Sequence, residues 1–256
     1  PDRRDLNRSF PGTRDGSLSS RIAHATFHNV VARCDYGIDL HTAAVRRTNY
    51  PNVRADMGQE ATARLATLFG AELLLDSKGP EGSLRRAALK AGCATITLEA
   101  GEVWKVEPAV VEYALRGIRN VLVGLTMIEG EVRPPSFRMV AEDTKWIRAE
   151  EGGFLRFHVH PGDLVSAGQP LATNTSLAGR ELNTLVAPRD AIVLAMTTLP
   201  AVSPGDPVAH LAYSSDAAMR KMENALGKLP EDSLLARLHD DLASNLMVSD
   251  LDDSFG

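Results

Sequence analysis

Two cysteines in 256 residues, Cys34 and Cys93, are too few for a disulfide framework. Each stands in an apolar stretch, so both are expected to be buried free thiols in a reducing compartment, and the chain reads as cytoplasmic. No apolar run approaches the roughly 20 residues that span a bilayer. The polar opening Pro1-Asp2-Arg3-Arg4 lacks the apolar centre of a signal peptide. No membrane role is expected. Nor is there a basic stripe with interleaved aromatics, and the formal net charge is -5, which argues against general nucleic-acid binding. What is present, 44% hydrophobic and 24% charged residues, suffices for a substantial core and two domains.

The most informative stretch is Tyr36-Gly37-Ile38-Asp39-Leu40-His41-Thr42. Alternation predicts a strand with Tyr36, Ile38 and Leu40 on one buried face and Asp39 and His41 on the other, delivering His41 to its carboxyl end. Strand ends are where α/β enzymes keep their chemistry. Upstream lies Asp5-Leu6-Asn7-Arg8-Ser9-Phe10-Pro11-Gly12. There Asn7 and Arg8 can form a carboxylate clamp, a planar guanidinium giving two parallel hydrogen bonds and an amide a third. Downstream, Ala94-Thr95-Ile96-Thr97-Leu98-Glu99 alternates in the same way and places Glu99 at a strand end, a position that suits a general base. Taken singly, each residue has a plainer alternative: a structural histidine, a surface turn, a solvated carboxylate.

The pattern up to about residue 130 predicts helices over 20–33, 58–69, 84–91 and 108–122 and strands over 36–41 and 94–99. Hydroxyls between Ser17 and Ser20 are placed to cap the first helix. This is an α/β sheet flanked by helices. Residues 130–135, with Pro134-Pro135, read as a linker. From Phe137 to about Tyr213, short apolar runs are punctuated by turns such as Pro161-Gly162-Asp163 and Pro204-Gly205-Asp206, which predicts a compact β barrel or sandwich. The rest is a helical acidic tail. In it Met219, Met222 and Leu226, then Leu234, Leu235, Leu238, Leu242 and Leu246, form apolar stripes that pack on the body or make a homo-oligomer contact. Residues 250–256 are expected to be loose.

Together, the segments at 5–12, 39–42, 49–57, 82–85 and 97–102 resemble the succinylglutamate desuccinylase and aspartoacylase family, relatives of the zinc carboxypeptidases. The resemblance runs from Pro1 to about residue 130. It implies a zinc-carboxypeptidase-like mixed sheet flanked by helices over 1–135. The activity it implies is zinc-dependent hydrolysis of the amide bond of a small N-acyl amino acid or related amine. In that family a His-x-x-Glu pair and the histidine of the Asp-Leu-His-Thr strand hold zinc, so His41 matches a metal ligand. Glu99 matches the general base that activates a metal-bound water. Asn7 and Arg8 match the clamp for the substrate carboxylate, Asp5 the acid that orients a zinc-bound histidine, and Arg54 and Arg85 are further substrate-binding candidates. The partner so implied is a small N-acylated carboxylate.

In one respect the chain departs from this pattern: no His-x-x-Glu pair precedes Asp5-Leu6-Asn7-Arg8. One histidine cannot hold a catalytic zinc that takes three protein ligands. The expectation is a chain truncated at its N-terminus, with two zinc ligands absent from it and inactive by itself; a relative that has lost its metal is the other reading. His24 and His28 share a helical face without the glutamate of a His-Glu-x-x-His site. His158 and His160 alternate before a turn as a solvent-facing pair, and His210 and His239 stand alone. Residues 136–213 resemble the biotinyl and lipoyl barrel-sandwich domains, but 174–183 contains no lysine to modify. A structural domain is expected there, followed by the tail at 214–256. Two alternatives to the deacylase stay open: a metal-dependent carboxypeptidase on short peptides, and a non-catalytic carboxylate-binding relative.

Overall fold

The computed structural model describes residues 2–141, 143–244 and 246. The first half runs α1 (Leu18–Asn29), β1 (Tyr36–His41), β2 (Arg47–Ala55), α2 (Glu60–Phe69), β3 (Leu73–Asp76), α3 (Leu84–Lys90), β4 (Ala94–Glu102) and α4 (Pro108–Gly124). Ser17 caps α1 by accepting from the Ser20 amide. That helix ends before the expected residue 33: the chain leaves helical geometry at β-branched Val30, and a 3-10 turn follows at Val31–Arg33. β2 and β3 carry no clear local signal. Pro51 lies inside β2 and cannot donate to a ladder, and the register against β4 shifts between Asn49 and Asn52 accordingly. β3 is only four residues long. Residues 130–138 are irregular, as the Pro-Pro pair predicts, yet the Asn120 side chain holds them by exchanging two 2.8 Å hydrogen bonds with the Arg133 backbone.

The second half contains β5 (Met139–Ala141), β6 (Asp143–Arg148), β7 (Gly153–Phe157), β8 (Leu164–Val165), β9 (Pro170–Thr175), β10 (Glu181–Val186), β11 (Ala191–Thr197), β12 (Ala201–Val202) and β13 (Pro207–Tyr213), then α5 (Asp216–Leu226) and α6 (Leu234–Ala243). These strands divide between two sheets. The larger has the order β1-β4-β2-β11-β13-β6, with β3 bridging β2 and β5, and β8 beside β11. The smaller is β10-β9-β7-β12. The large sheet therefore crosses residue 135: β5 pairs with β3 in parallel, and β11 lies antiparallel to β2 through Asn49, Thr48 and Arg47. The protein is mixed α/β.

One core gathers Val53, Leu65, Phe69, Leu73, Leu74, Ile96, Leu98 and Tyr113 from the first half with Ile192 and Leu194 from β11. Leu235, Leu238, Leu242 and Met222 join it, so the tail's apolar stripe is covered by the body of the same chain. Residues 250–256 lie outside the described residues. A second core, with Leu155, Phe157, Leu171, Val193, Val208 and Leu211, fills the space between the two sheets.

Other expectations need correction. β1 is the edge strand, so Tyr36 and Leu40 are 41% and 51% exposed rather than buried. Cys93 is buried, but Cys34 is exposed, just past the first helix, with its thiol donating to the Val30 carbonyl. His210 and His239 do not stand alone: His210 stacks on Trp146, and His239 meets Asp163 and His160. Among the described residues no helix is long and apolar enough to cross a membrane.

Candidate active site

The site forms where the end of β1 lies beside the later part of β4. β1 and β4 pair in register from Tyr36 opposite Ala94 to His41 opposite Glu99, which places His41 at the carboxyl end of its strand, the usual position for ligands in α/β folds, with Glu99 beside it three residues before β4 ends. β2 lies antiparallel on the far side of β4, with Arg54 opposite Thr97 and Asn52 opposite Glu99.

His41 is held by its own strand. Its Nε2 lies 2.8 Å from Oδ2 of Asp39, two residues back on the same face. That contact raises the His41 pKa above its ordinary value, against burial and with the negative charges of Asp39 and Glu99 adding to the effect. With Nε2 engaged, Nδ1 is the nitrogen left to a ligand. Glu99 is held at one oxygen, where Asn49 donates its Nδ2 to Oε2 at 3.1 Å, and at the other, Oε1, it has an ion-pair contact with Arg54 Nε at 3.8 Å that is too long for a hydrogen bond.

The segment with Asn7 and Arg8 forms a 3-10 turn, Leu6–Arg8, capped by Asp5, whose Oδ1 accepts from the Asn7 amide at 2.8 Å. The Asn7 side chain is partly committed to the fold, since its Oδ1 accepts from the Leu84 amide at 2.7 Å at the start of α3. Its Nδ2 is the donor that remains. Arg8 donates to the Asn7 carbonyl at 2.7 Å and sits 3.7 Å from Asp5, with half its side chain exposed. Gly82 explains why the 82–85 segment accompanies this turn. Its φ is +77°, Phe10 donates to its carbonyl at 2.9 Å, and a Cβ there would stand 2.3 Å from the Arg8 carbonyl oxygen. Only glycine lets the two loops approach so closely. Three residues on, Arg85 is 6% exposed and donates to the Ser77 carbonyl. Burial, and then the neighbouring Arg54 charge, pull its pKa below the usual value.

Asp5, Asn7, Arg8, His41, Arg54, Arg85 and Glu99 all line a single cavity of about 290 Å³. Arg85, which read equally well as a surface charge, is a buried wall residue. Asp5 touches Asn7 and Arg8, and the carboxylate in contact with His41 is Asp39. Asp39 and Asn49 are the two side chains that the motif reading passed over. For Asp39 the signal was its i, i+2 relation to His41; Asn49 lies beside a proline that obscures its strand.

The donors at this cavity do not make a catalytic zinc site among the described residues. His41 is the one histidine lining it, and a catalytic zinc takes three protein ligands. The described residues contain one three-donor group that can hold a metal ion, His160, Asp163 and His239, and none of these lines the cavity. His24 and His28 lie with ring centroids 4.3 Å apart, but His24 Nε2 accepts from Arg14 at 3.2 Å.

Residues 1–125 match the model of the succinylglutamate desuccinylase/aspartoacylase catalytic domain. Among curated proteins, the chain is 27% identical over 224 residues to an N-alpha-acetyl-L-2,4-diaminobutyric acid deacetylase of Halomonas elongata; the match covers 81% of this chain and 65% of that protein's length. Among solved structures, the ectoine utilization protein EutE (DoeB) of Ruegeria pomeroyi superposes with a TM-score of 0.74 at 23% identity, covering 82% of this chain and 70% of that one. A succinylglutamate desuccinylase/aspartoacylase of Rhodobacter sphaeroides gives 0.73 at 24%, covering 84% and 69%. At such identities the superpositions speak for the fold. Because they cover over four fifths of the chain, the likeness reaches well beyond residue 125.

Proposed function

Residues 1–125 match the succinylglutamate desuccinylase/aspartoacylase catalytic-domain model, and from that premise we propose that the protein is a member of this family and acts on small N-acyl amino acids, hydrolysing their amide bond. The observation that carries this reading is the convergence of seven residues from separate segments of the chain on one cavity. Its volume of about 290 Å³ is at the low end for ligand sites, which favours a small acylated amino acid over a peptide.

In this reading Arg8 and the Asn7 amide hold the substrate carboxylate, with Arg85 and Arg54 adding fixed positive charge at the wall. Glu99, aimed by Asn49 and Arg54, takes a proton from the attacking water and returns it to the leaving amine. His41, oriented by Asp39 through Nε2, lines the same space. When bound, zinc supplies polarisation of the scissile carbonyl and a water of lowered pKa; the residues described at this cavity do not hold it by themselves.

The single histidine favours a second reading, a carboxylate-binding protein without turnover. Acetate release from N-acetyl-L-2,4-diaminobutyrate and other N-acetyl amino acids, measured with the protein and with Glu99→Gln, decides between them. Release that depends on Glu99 supports the deacylase. Saturable binding of the same compounds without release supports the second reading, and cleavage of short peptides alone would point to a carboxypeptidase.

A further inference from the structure

Outside the cavity, two distant segments bring imidazoles to one carboxylate. His160 and Asp163 flank the Pro161-Gly162 turn before β8, and His239 lies on α6, 76 positions further along the chain. His239 Nε2 is 3.0 Å from Asp163 Oδ1, and His160 Nδ1 is 3.6 Å from Asp163 Oδ2. The two rings meet edge to face, with centroids 5.4 Å apart. One donor atom from each of the three residues falls within 4.8 Å of the others. All three residues are half-buried.

We propose that His160, Asp163 and His239 form a binding site for a borderline divalent metal ion such as zinc, distinct from the cavity of His41 and Glu99, which clasps α6 to the β8 turn. Two imidazoles and a carboxylate are a donor set suited to such ions. Tetrahedral zinc bonds of about 2.0–2.1 Å set ligand atoms roughly 3.4 Å apart. The two Asp163 contacts, one to each oxygen, bracket that spacing, and small shifts of the rings complete it. A water or an exogenous anion takes the fourth position.

The frame on which these donors sit is fixed on both sides. Asp163 Oδ2 accepts from the His160 amide at 2.7 Å, closing the turn on itself. The turn is sewn to β11 by Gly162 donating to the Val193 carbonyl and Val193 donating to the Asp163 carbonyl, at 2.7 and 2.9 Å. Gly162, at φ +100°, lies so close to Tyr50 that a Cβ would stand 2.6 Å from its ring. α6 is held by its buried leucines and by Asp241, which accepts from the Ala109 amide at 3.1 Å. Donors on rigid elements lose little freedom when an ion arrives.

Cobalt(II) titration of the full chain, followed by its visible absorption and repeated with zinc by calorimetry, tests the site. One equivalent is expected to bind in the protein and equally in His41→Ala, and at least about tenfold more weakly in His160→Gln and in His239→Gln. Zinc is also expected to raise Tm by several degrees in the protein and not in His160→Gln. His160 lies in the turn, so this variant keeps the test sound should the helix variant fail to fold. Binding that vanishes in His41→Ala but persists in both histidine variants would overturn the site, as would no binding at all.

Discussion

Asn49 donates its side-chain amide to Oε2 of Glu99 at 3.1 Å, from a strand neighbouring the one that carries Glu99. The amide fixes which way the carboxylate points without touching a ligand's own charge. If Glu99 is the base, Asn49→Ala should lower kcat for N-acetyl amino acids by about tenfold with KM little changed, and Glu99→Gln should lower it by about 10² to 10⁴. Turnover that survives in Glu99→Gln removes Glu99 from the chemistry.

Arg8 should report on binding instead. Arg8→Ala is expected to weaken carboxylate-bearing ligands by about 1.5–3 kcal/mol, the range for charged hydrogen bonds, read as a KM about 10 to 150 times higher. Its exposed contact with Asp5, at 3.7 Å, contributes little to stability, so the same variant should unfold at nearly the same urea concentration. An unchanged KM would end the clamp assignment.

Gly82→Ala should damage both stability and binding. The added methyl meets the Arg8 backbone, which has no side-chain freedom to yield, and φ is +77°. A loss of at least about 1–2 kcal/mol in urea unfolding is expected, together with weaker carboxylate binding because the Asn7-Arg8 turn must move. Wild-type affinity in this variant would separate the turn from the clamp.

His210 gives a pH dependence away from the cavity floor. It stacks on Trp146 with centroids 4.5 Å apart, and burial, with the charges of Arg54 and Arg47, pulls its pKa from 6.5 to about 4. Between those values the unfolded chain binds a proton that the folded chain refuses, so stability is full above about pH 6.5 and falls as the pH drops towards 4. From about pH 7.5 to about pH 4.5 the protein should lose roughly 2 kcal/mol more than His210→Phe. Parallel losses in urea titrations of the two proteins would show that His210 does not titrate in this window.

Much of what meets in the cavity was legible because it rests on local patterns. Alternation in 36–41 and 94–99 carries His41 to a strand end and Glu99 onto a strand that runs three residues further than expected, to Glu102, and the parallel register sets the two opposite each other. Asp39 was visible in the same alternation, although the motif reading pointed to Asp5 for the orienting acid. Asn49 was hidden because Pro51 masks β2 as a strand. The pairing of His239 with Asp163 left no trace, since it joins a helix face to a turn through tertiary packing alone. The union of β11 with β2 was invisible for the same reason: turn residues announce where strands end, not which distant strand lies beside them.

That union bears on how the protein is made. Thr197 reaches the Arg46 carbonyl across 151 positions of chain, and β2 carries Asn49 and Arg54. As the ribosome emits the chain, the part of β2 from Arg47 to Asn49 that β11 covers stays open on one flank until residues 191–197 follow, and a strand edge left waiting is a template for the wrong partner. Pro51, which interrupts the ladder in the middle of β2, shortens the stretch of edge that a stray strand can grip.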